Sequence, residues 1–122
     1  MEVGYFFDTY ALVEIVQGKH SYKEYQNVPF ITTKLNLMEL HHALLRSKTK
    51  EQADQAYDWF LRFCKEPDNE TIKSASMLRK KFRRQHISFV DCIGYLTAQE
   101  RGLLFLTGDK EFKEFPNVAW VQ

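Results

Sequence analysis

Cysteine is scarce in this 122-residue chain: Cys64 and Cys92 are the only two, and no CxxC pattern links them. That spacing argues against zinc and against a disulfide framework, and reduced, buried thiols are expected. Long apolar runs are missing as well. No stretch approaches the ~18 residues expected of a membrane span. The first residues lack a basic start, and Asp8 and Glu14 interrupt their apolar stretch, which argues against a signal peptide. A cytoplasmic protein with no membrane association is therefore expected. Charge of one sign is also lacking. The 17 Lys and Arg nearly balance the 16 Asp and Glu, for a net charge of +1. No global field draws such a chain to nucleic acid, so any binding of that kind must come from a local patch. The 5 Gly and 3 Pro are scattered, and no linker, repeat or low-complexity segment appears.

What is present is apolar. Hydrophobic residues make up 44% of the chain and aromatics 15%, enough for one domain, residues 1–122, around one core. Val3–Phe7 is a short apolar strand closed by Asp8. Ala11, Leu12, Ile15 and Val16 then recur at helical spacing, and Gly18 ends that helix. The polar segment 18–27 reads as a loop. Pro29 opens a strand over Phe30–Thr32. A helix starting near Asn36 carries the stripe Leu37, Leu40, Leu44 and Leu45. The next helix, about Lys50 to Phe63, is apolar over more than one stripe, with Trp59 and Phe63 widening it. It suits ordinary core or a subunit interface. Arg62–Pro67 is a candidate short strand. Thr71–Arg84 is helical with Ile72, Ala75, Leu78 and Phe82 inward. Ser88 begins another helix, which buries Ile93, Leu96 and Ala98. Leu103–Leu106 is a strand, Asp109 starts a helical turn, and Val118–Val121 is the last strand.

Strands alternate with helices. That pattern predicts an α/β fold: a mostly parallel central sheet of four or five strands with helices on both faces. In such sheets ligands bind beyond the carboxyl ends of the strands. Asp8 and Asp109 both follow strands and belong at that edge. Glu39 and Asp91 sit at helix beginnings, three residues after Asn36 and Ser88. Each acid has an ordinary explanation. Asn36-x-x-Glu39 and Ser88-x-x-Asp91 fit capping boxes, and Asp8 and Asp109 fit N-caps. Taken together, four carboxylates gathered at one edge would repel one another. A hard divalent cation, Mg²⁺ or Mn²⁺, removes that conflict, because such ions take oxygen ligands and keep waters for a substrate phosphate.

These residues resemble the PIN domain family, and within it the small VapC-like toxin ribonucleases. The resemblance runs through "FFDTYAL" at Phe6–Leu12, "NLMEL" at Asn36–Leu40 and "FVDCIGYLTAQERGLLFLTGDKEF" at Phe89–Phe112. It implies a three-layer α/β/α PIN domain over residues 1–122. It also implies a Mg²⁺- or Mn²⁺-dependent endoribonuclease in which a metal-activated water leaves a 5′-phosphate and a 3′-hydroxyl. The family's acids fall on Asp8, Glu39, Asp91 and Asp109. Asp8, Asp91 and Asp109 are the expected metal ligands, with Glu39 completing the site or taking the water's proton. Thr107 matches a supporting hydroxyl position. Thr9 follows the first acid, with capping its expected job, and Glu111 sits where some relatives carry a further acid. The implied partners are RNA, a small antitoxin that inserts a basic residue among the acids, and a second copy in a homodimer. The implied role is the toxin of a type II VapBC-like pair. Alternatives are a PIN nuclease in RNA processing without toxin behaviour, or a non-catalytic RNA- or protein-binding PIN module.

The basic run "RKKFRRQH" at 79–86 offers Arg79, Lys80, Arg83 and Arg84 as phosphate contacts, or equally a solvated helix face with Phe82 buried. Lys110 lies closer to the acids in sequence. His41 and His42 lack HExxH spacing, and a surface or hydrogen-bonding role is expected. A phosphorylation-controlled receiver domain also gathers acids at a sheet edge around Mg²⁺. It needs an acid pair after the first strand, whereas Asp8 stands alone, and no Asp closes a third strand.

Overall fold

The computed structural model describes residues 4–122, so Val3 of the expected first strand lies outside the described residues. Four short strands form the sheet: β1 (Tyr5–Phe7), β2 (Phe30–Ile31), β3 (Leu104–Thr107) and β4 (Val118–Trp120). Their order is β2-β1-β3-β4, and every pairing is parallel. Parallel strands buried on both faces read as continuous apolar runs, which is why "YFF" and "LFL" lack polar alternation. The helices are α1 (Thr9–Gln17), α2 (Lys34–Leu44), α3 (Lys50–Phe60), α4 (Asn69–Lys81) and α5 (Phe89–Glu100).

Side-chain alternation along β1 and β3 divides the core in two. Phe6 pairs in register with Phe105, and both face a cluster with Ala75, Ile87, Cys92, Tyr95 and Phe112. Phe7 pairs with Leu106, and both face the opposite cluster with Leu12, Tyr22, Leu37, Leu40, Leu44 and Phe60. The sheet is therefore sandwiched between α1, α2 and α3 on one side and α4 and α5 on the other. Burying the Phe, Leu and Ile side chains among them contributes about 1.5–3 kcal/mol each. The three-layer α/β/α architecture follows from two apolar faces that each need cover.

Several local expectations are corrected. α2 does not start at Asn36. Thr33, extended at φ −127° and ψ 162°, is its N-cap and accepts from the Asn36 N–H at 3.3 Å. Asn36 and Glu39 therefore form no capping box, and Glu39 projects from the second turn. Segment 18–27 is not all loop: His20–Tyr25 forms a 3-10 turn because Tyr22 is fully buried and its hydroxyl donates to the Val121 carbonyl. α3 ends at Phe60, and Leu61–Phe63 tightens into 3-10 geometry. Arg62–Pro67 is no strand. It contributes one isolated parallel bridge, Cys64 to Thr32. Ile72 points outward, at 45% exposure. Its neighbour Thr71 takes the inward position because its hydroxyl bonds Glu100 of α5 at 2.8 Å. Both cysteines are free, Cys92 buried and Cys64 half-buried. No helix among the described residues is long and apolar enough to cross a membrane.

Candidate active site

The two central strands deliver Asp8 and Thr107 side by side. The Asp8 N–H bonds the Leu106 carbonyl at 3.1 Å, which brings the end of β1 against the end of β3. Asp8 has N-cap backbone geometry for α1, yet its side chain makes no capping bond. Instead Oδ2 accepts from the Thr107 hydroxyl at 2.8 Å, while Oδ1 is buried with no partner among the described residues. Asp8 is only 3% exposed. Burial raises its pKa well above the usual carboxylate range. The Asp91 charge pushes the same way and Glu39 adds less; the Thr107 hydroxyl and the Thr9 N–H oppose them.

Asp91 does form the expected capping box. Its Oδ2 accepts from the Ser88 N–H at 2.9 Å, and the Ser88 hydroxyl accepts from the Asp91 N–H at 3.0 Å. Burial nevertheless pushes its pKa up to about 6, helped by the charges of Glu39 and Asp109 and opposed by the Ser88 bonds. Asp109 caps the 3-10 turn Lys110–Phe112, with Oδ1 accepting from the Glu111 N–H at 3.0 Å. The Asp109 N–H donates to Thr107 Oγ1 at 3.1 Å, so one hydroxyl ties Asp8 to Asp109. Gly108 between them is required by close approach: a Cβ there would lie 2.2 Å from the Tyr10 ring and 2.6 Å from the Val121 carbonyl oxygen.

Glu39 is held by a relay that sequence reasoning missed. The Thr33 hydroxyl donates to Asn36 Oδ1 at 2.7 Å, Asn36 Nδ2 donates to Thr9 Oγ1 at 3.1 Å, and Thr9 donates to Glu39 Oε1 at 2.6 Å. Thr9 thus orients an acid rather than capping a helix. Asn36 is fully buried, and its spacing from Thr33 was the only available signal. The four acids act on one another: Asp91 and Glu39 on Asp8, Glu39 and Asp109 on Asp91. Among the described residues, none of the four has a Lys, Arg or His ion-pair partner. The other candidate side chains make different contacts or none. Glu111 faces the His86 N–H at 3.5 Å, and His41 pairs with Asp54 at 2.7 Å between α2 and α3. Arg79 lies over Phe89, while Lys80, Arg83, Arg84 and Lys110 form no ion pair among the described residues.

Among the described residues, no three of these groups form a ready-made metal cage. Glu39, Asp91 and Asp109 are each tied to a separate anchor, at Thr9, Ser88 and the Glu111 N–H. The donor set still fits a hard cation: all-oxygen carboxylates, with one buried oxygen of Asp8 unpartnered. Mg²⁺ needs only one or two direct carboxylates and keeps its waters, so a spread cluster suits it better than a tight cage.

The PIN domain family model matches residues 5–118. Among solved structures, the chain is similar to VapC20 of Mycobacterium tuberculosis, a sarcin–ricin-loop-cleaving toxin, with TM-score 0.81 and 16% identity over 97% of this chain and 99% of that one. It is similar to a DNA-bound VapBC complex of Salmonella typhimurium (0.74, 19%, 97% and 96%). It is also similar to VapBC2 of Rickettsia felis bound to a promoter DNA fragment (0.72, 21%, 98% and 99%). At these identities the likeness speaks for the fold. No curated protein sequence matches the chain.

Proposed function

The chain belongs to the PIN domain family, and on that premise we propose that it is a metal-dependent endoribonuclease, the toxin of a type II VapBC-like pair. A single PIN domain over residues 1–122 would carry that activity. The observation that supports this most is the group of four acids at the carboxyl edge, without ion pairs among the described residues and with one buried Asp8 oxygen that has no partner among them. Asp8, Asp91 and Asp109 would hold Mg²⁺ or Mn²⁺. When bound, such an ion supplies acidification of water and screening of phosphate oxygens.

The protein's own groups set the geometry. Thr107 fixes Asp8 and the Asp109 backbone, Ser88 fixes Asp91, and Thr9 fixes Glu39. The side-chain bonds to Asp8, Asp91 and Glu39 each use one carboxylate oxygen. Glu39, at the margin of the group, takes the proton of the attacking water or completes the ligand set. In-line attack on the phosphodiester leaves a 5′-phosphate and a 3′-hydroxyl. An antitoxin that placed a basic side chain among the acids would neutralise them and exclude the cation. Trp59, 50% exposed on α3, suits contact with such a partner or with a second copy.

The test is RNA cleavage in Mg²⁺, Mn²⁺ and chelator, with the parent and Asp91→Asn compared. The parent cleaves with metal and not with chelator. The variant keeps its circular dichroism spectrum and loses cleavage; full activity in it would refute the assignment. Growth arrest on expression, relieved by a co-expressed small partner, separates the toxin from an RNA-processing nuclease.

A further inference from the structure

One aromatic on this edge contributes nothing to the core. Phe89 opens α5, two residues before Asp91, and is 61% exposed, whereas Ile87 and Ile93 around it are buried. A lone exposed Phe is ordinary, but its surroundings are not. The Arg79 guanidinium lies over the ring, 5.8 Å from its centroid. Arg79 is half-buried and has no acidic partner among the described residues. Its charge also reaches the Cys92 thiol, which places it beside the first turn of α5. Beyond it, Lys81, Phe82, Arg83, Arg84 and Gln85 line a shallow surface depression of about 300 Å³. Lys80, Arg83 and Arg84 are exposed and lack ion pairs among the described residues.

We propose that Phe89 is a stacking platform for an unpaired RNA base next to the cleaved bond, with Arg79 and the 80–84 segment holding the flanking phosphates. The ligand class rests on the ribonuclease reading; the platform itself rests on the exposed ring and its unpaired cations. An aromatic face takes any base, and an arginine plane stacks while its charge serves a phosphate. A protein partner with an apolar patch would not explain the unpaired Arg79 over the ring and the unpaired cations that follow it in the chain; a polyanion does. Phe89 and Asp91 share one helical turn. Two positions apart they point to different sides of the helix, so the ring and the acid are separated by up to about one helix width, ~12 Å. A base stacked on the ring then lies a nucleotide or two from the acids. A duplex base has both faces occupied, so the platform selects single-stranded or looped RNA.

The experiment measures fluorescence anisotropy of a short labelled single-stranded RNA and of its duplex, in chelator so that nothing is cut. The parent, Phe89→Ala, Phe89→Tyr and Arg79→Gln are compared across a salt series. Phe89→Ala weakens single-strand binding roughly five- to hundred-fold, leaves the salt slope unchanged and barely affects the duplex. Phe89→Tyr restores affinity, and Arg79→Gln lowers the slope. Parent-like single-strand binding by Phe89→Ala overturns the platform and leaves the ribonuclease reading standing. If that variant also changes the protein's mass in solution, the ring serves a contact between copies instead. A parent that neither binds nor cleaves RNA overturns both.

Discussion

Replacing Asp91 with Asn should make the metal-free protein more stable. Asn keeps an oxygen to accept the Ser88 N–H, so the capping box loses little. What disappears is a charge held among other charges. In the fold the Asp91 pKa stands at about 6 against an ordinary 3.8. A carboxyl raised in this way favours the protonated form. The stabilising state is thus fully present below the unfolded pKa and is lost as pH rises through 6. The step from 3.8 to about 6 corresponds to ~3 kcal/mol of destabilisation at neutral pH. Loss of the favourable charge at the α5 N-terminus returns about 0.3–1 kcal/mol, and solvent at the site's edge trims the rest. A net gain of ~2 kcal/mol follows, or roughly 6–8 °C in Tm for a domain of this size. Thermal melts in chelator at pH 4 and pH 7.5 check it. The variant should melt higher at pH 7.5, the gap should close by pH 4, and added Mg²⁺ should raise the parent more than the variant. A variant that melts lower than the parent at pH 7.5, with its spectrum unchanged, would show that the acids do not repel as described.

Thr107→Val removes the hydroxyl shared by Asp8 and the Asp109 N–H. It should destabilise by about 1–3 kcal/mol in urea titration and reduce cleavage, with Thr107→Ser restoring both. Gly108→Ala forces a methyl into the Tyr10 ring and the Val121 carbonyl. It should destabilise by at least ~1–3 kcal/mol and shift Asp109, seen as a lowered Tm together with lost cleavage. Neutralising Arg83 and Arg84 together should flatten the salt dependence of RNA affinity by about 1.4 in the log–log slope if each meets one phosphate of a single strand. An unchanged slope removes both from the RNA path.

The sheet was legible because its strands are short apolar runs that stop abruptly at polar residues. Phe7 meets Asp8, and Leu106 meets Thr107 and Gly108. The α5 start was legible because Ser88 and Asp91 satisfy each other locally. The start of α2 was not, since Thr33 and Asn36 are both good caps. The choice depends on the chain just after β2, where Thr32 bridges to Cys64 and leaves Thr33 extended. Ile72 misled for a related reason. Hydrophobicity argued for the inward position, but a tertiary bond from Thr71 to Glu100 set the rotation of α4. The relay through Asn36 and Thr9 to Glu39 joins α2 to α1, and no local spacing announces a contact between residues 27 apart.

Capping accounts for part of this edge and stops short of Asp8. One oxygen of Asp91 and one of Asp109 satisfy backbone N–H groups, as a chain selected only for stability would arrange. Asp8 makes no side-chain capping bond, and among the described residues one of its buried oxygens has no hydrogen-bond partner. An unsatisfied buried acceptor costs about 1–3 kcal/mol, more when it is charged. Asn at this position would bond Thr107 equally well and could turn its amide toward the neighbouring carboxylates. Stability alone therefore favours Asn over Asp at position 8. The proposed cation would relieve both Asp8 and Asp91, which gives the acid at position 8 a role that stability does not.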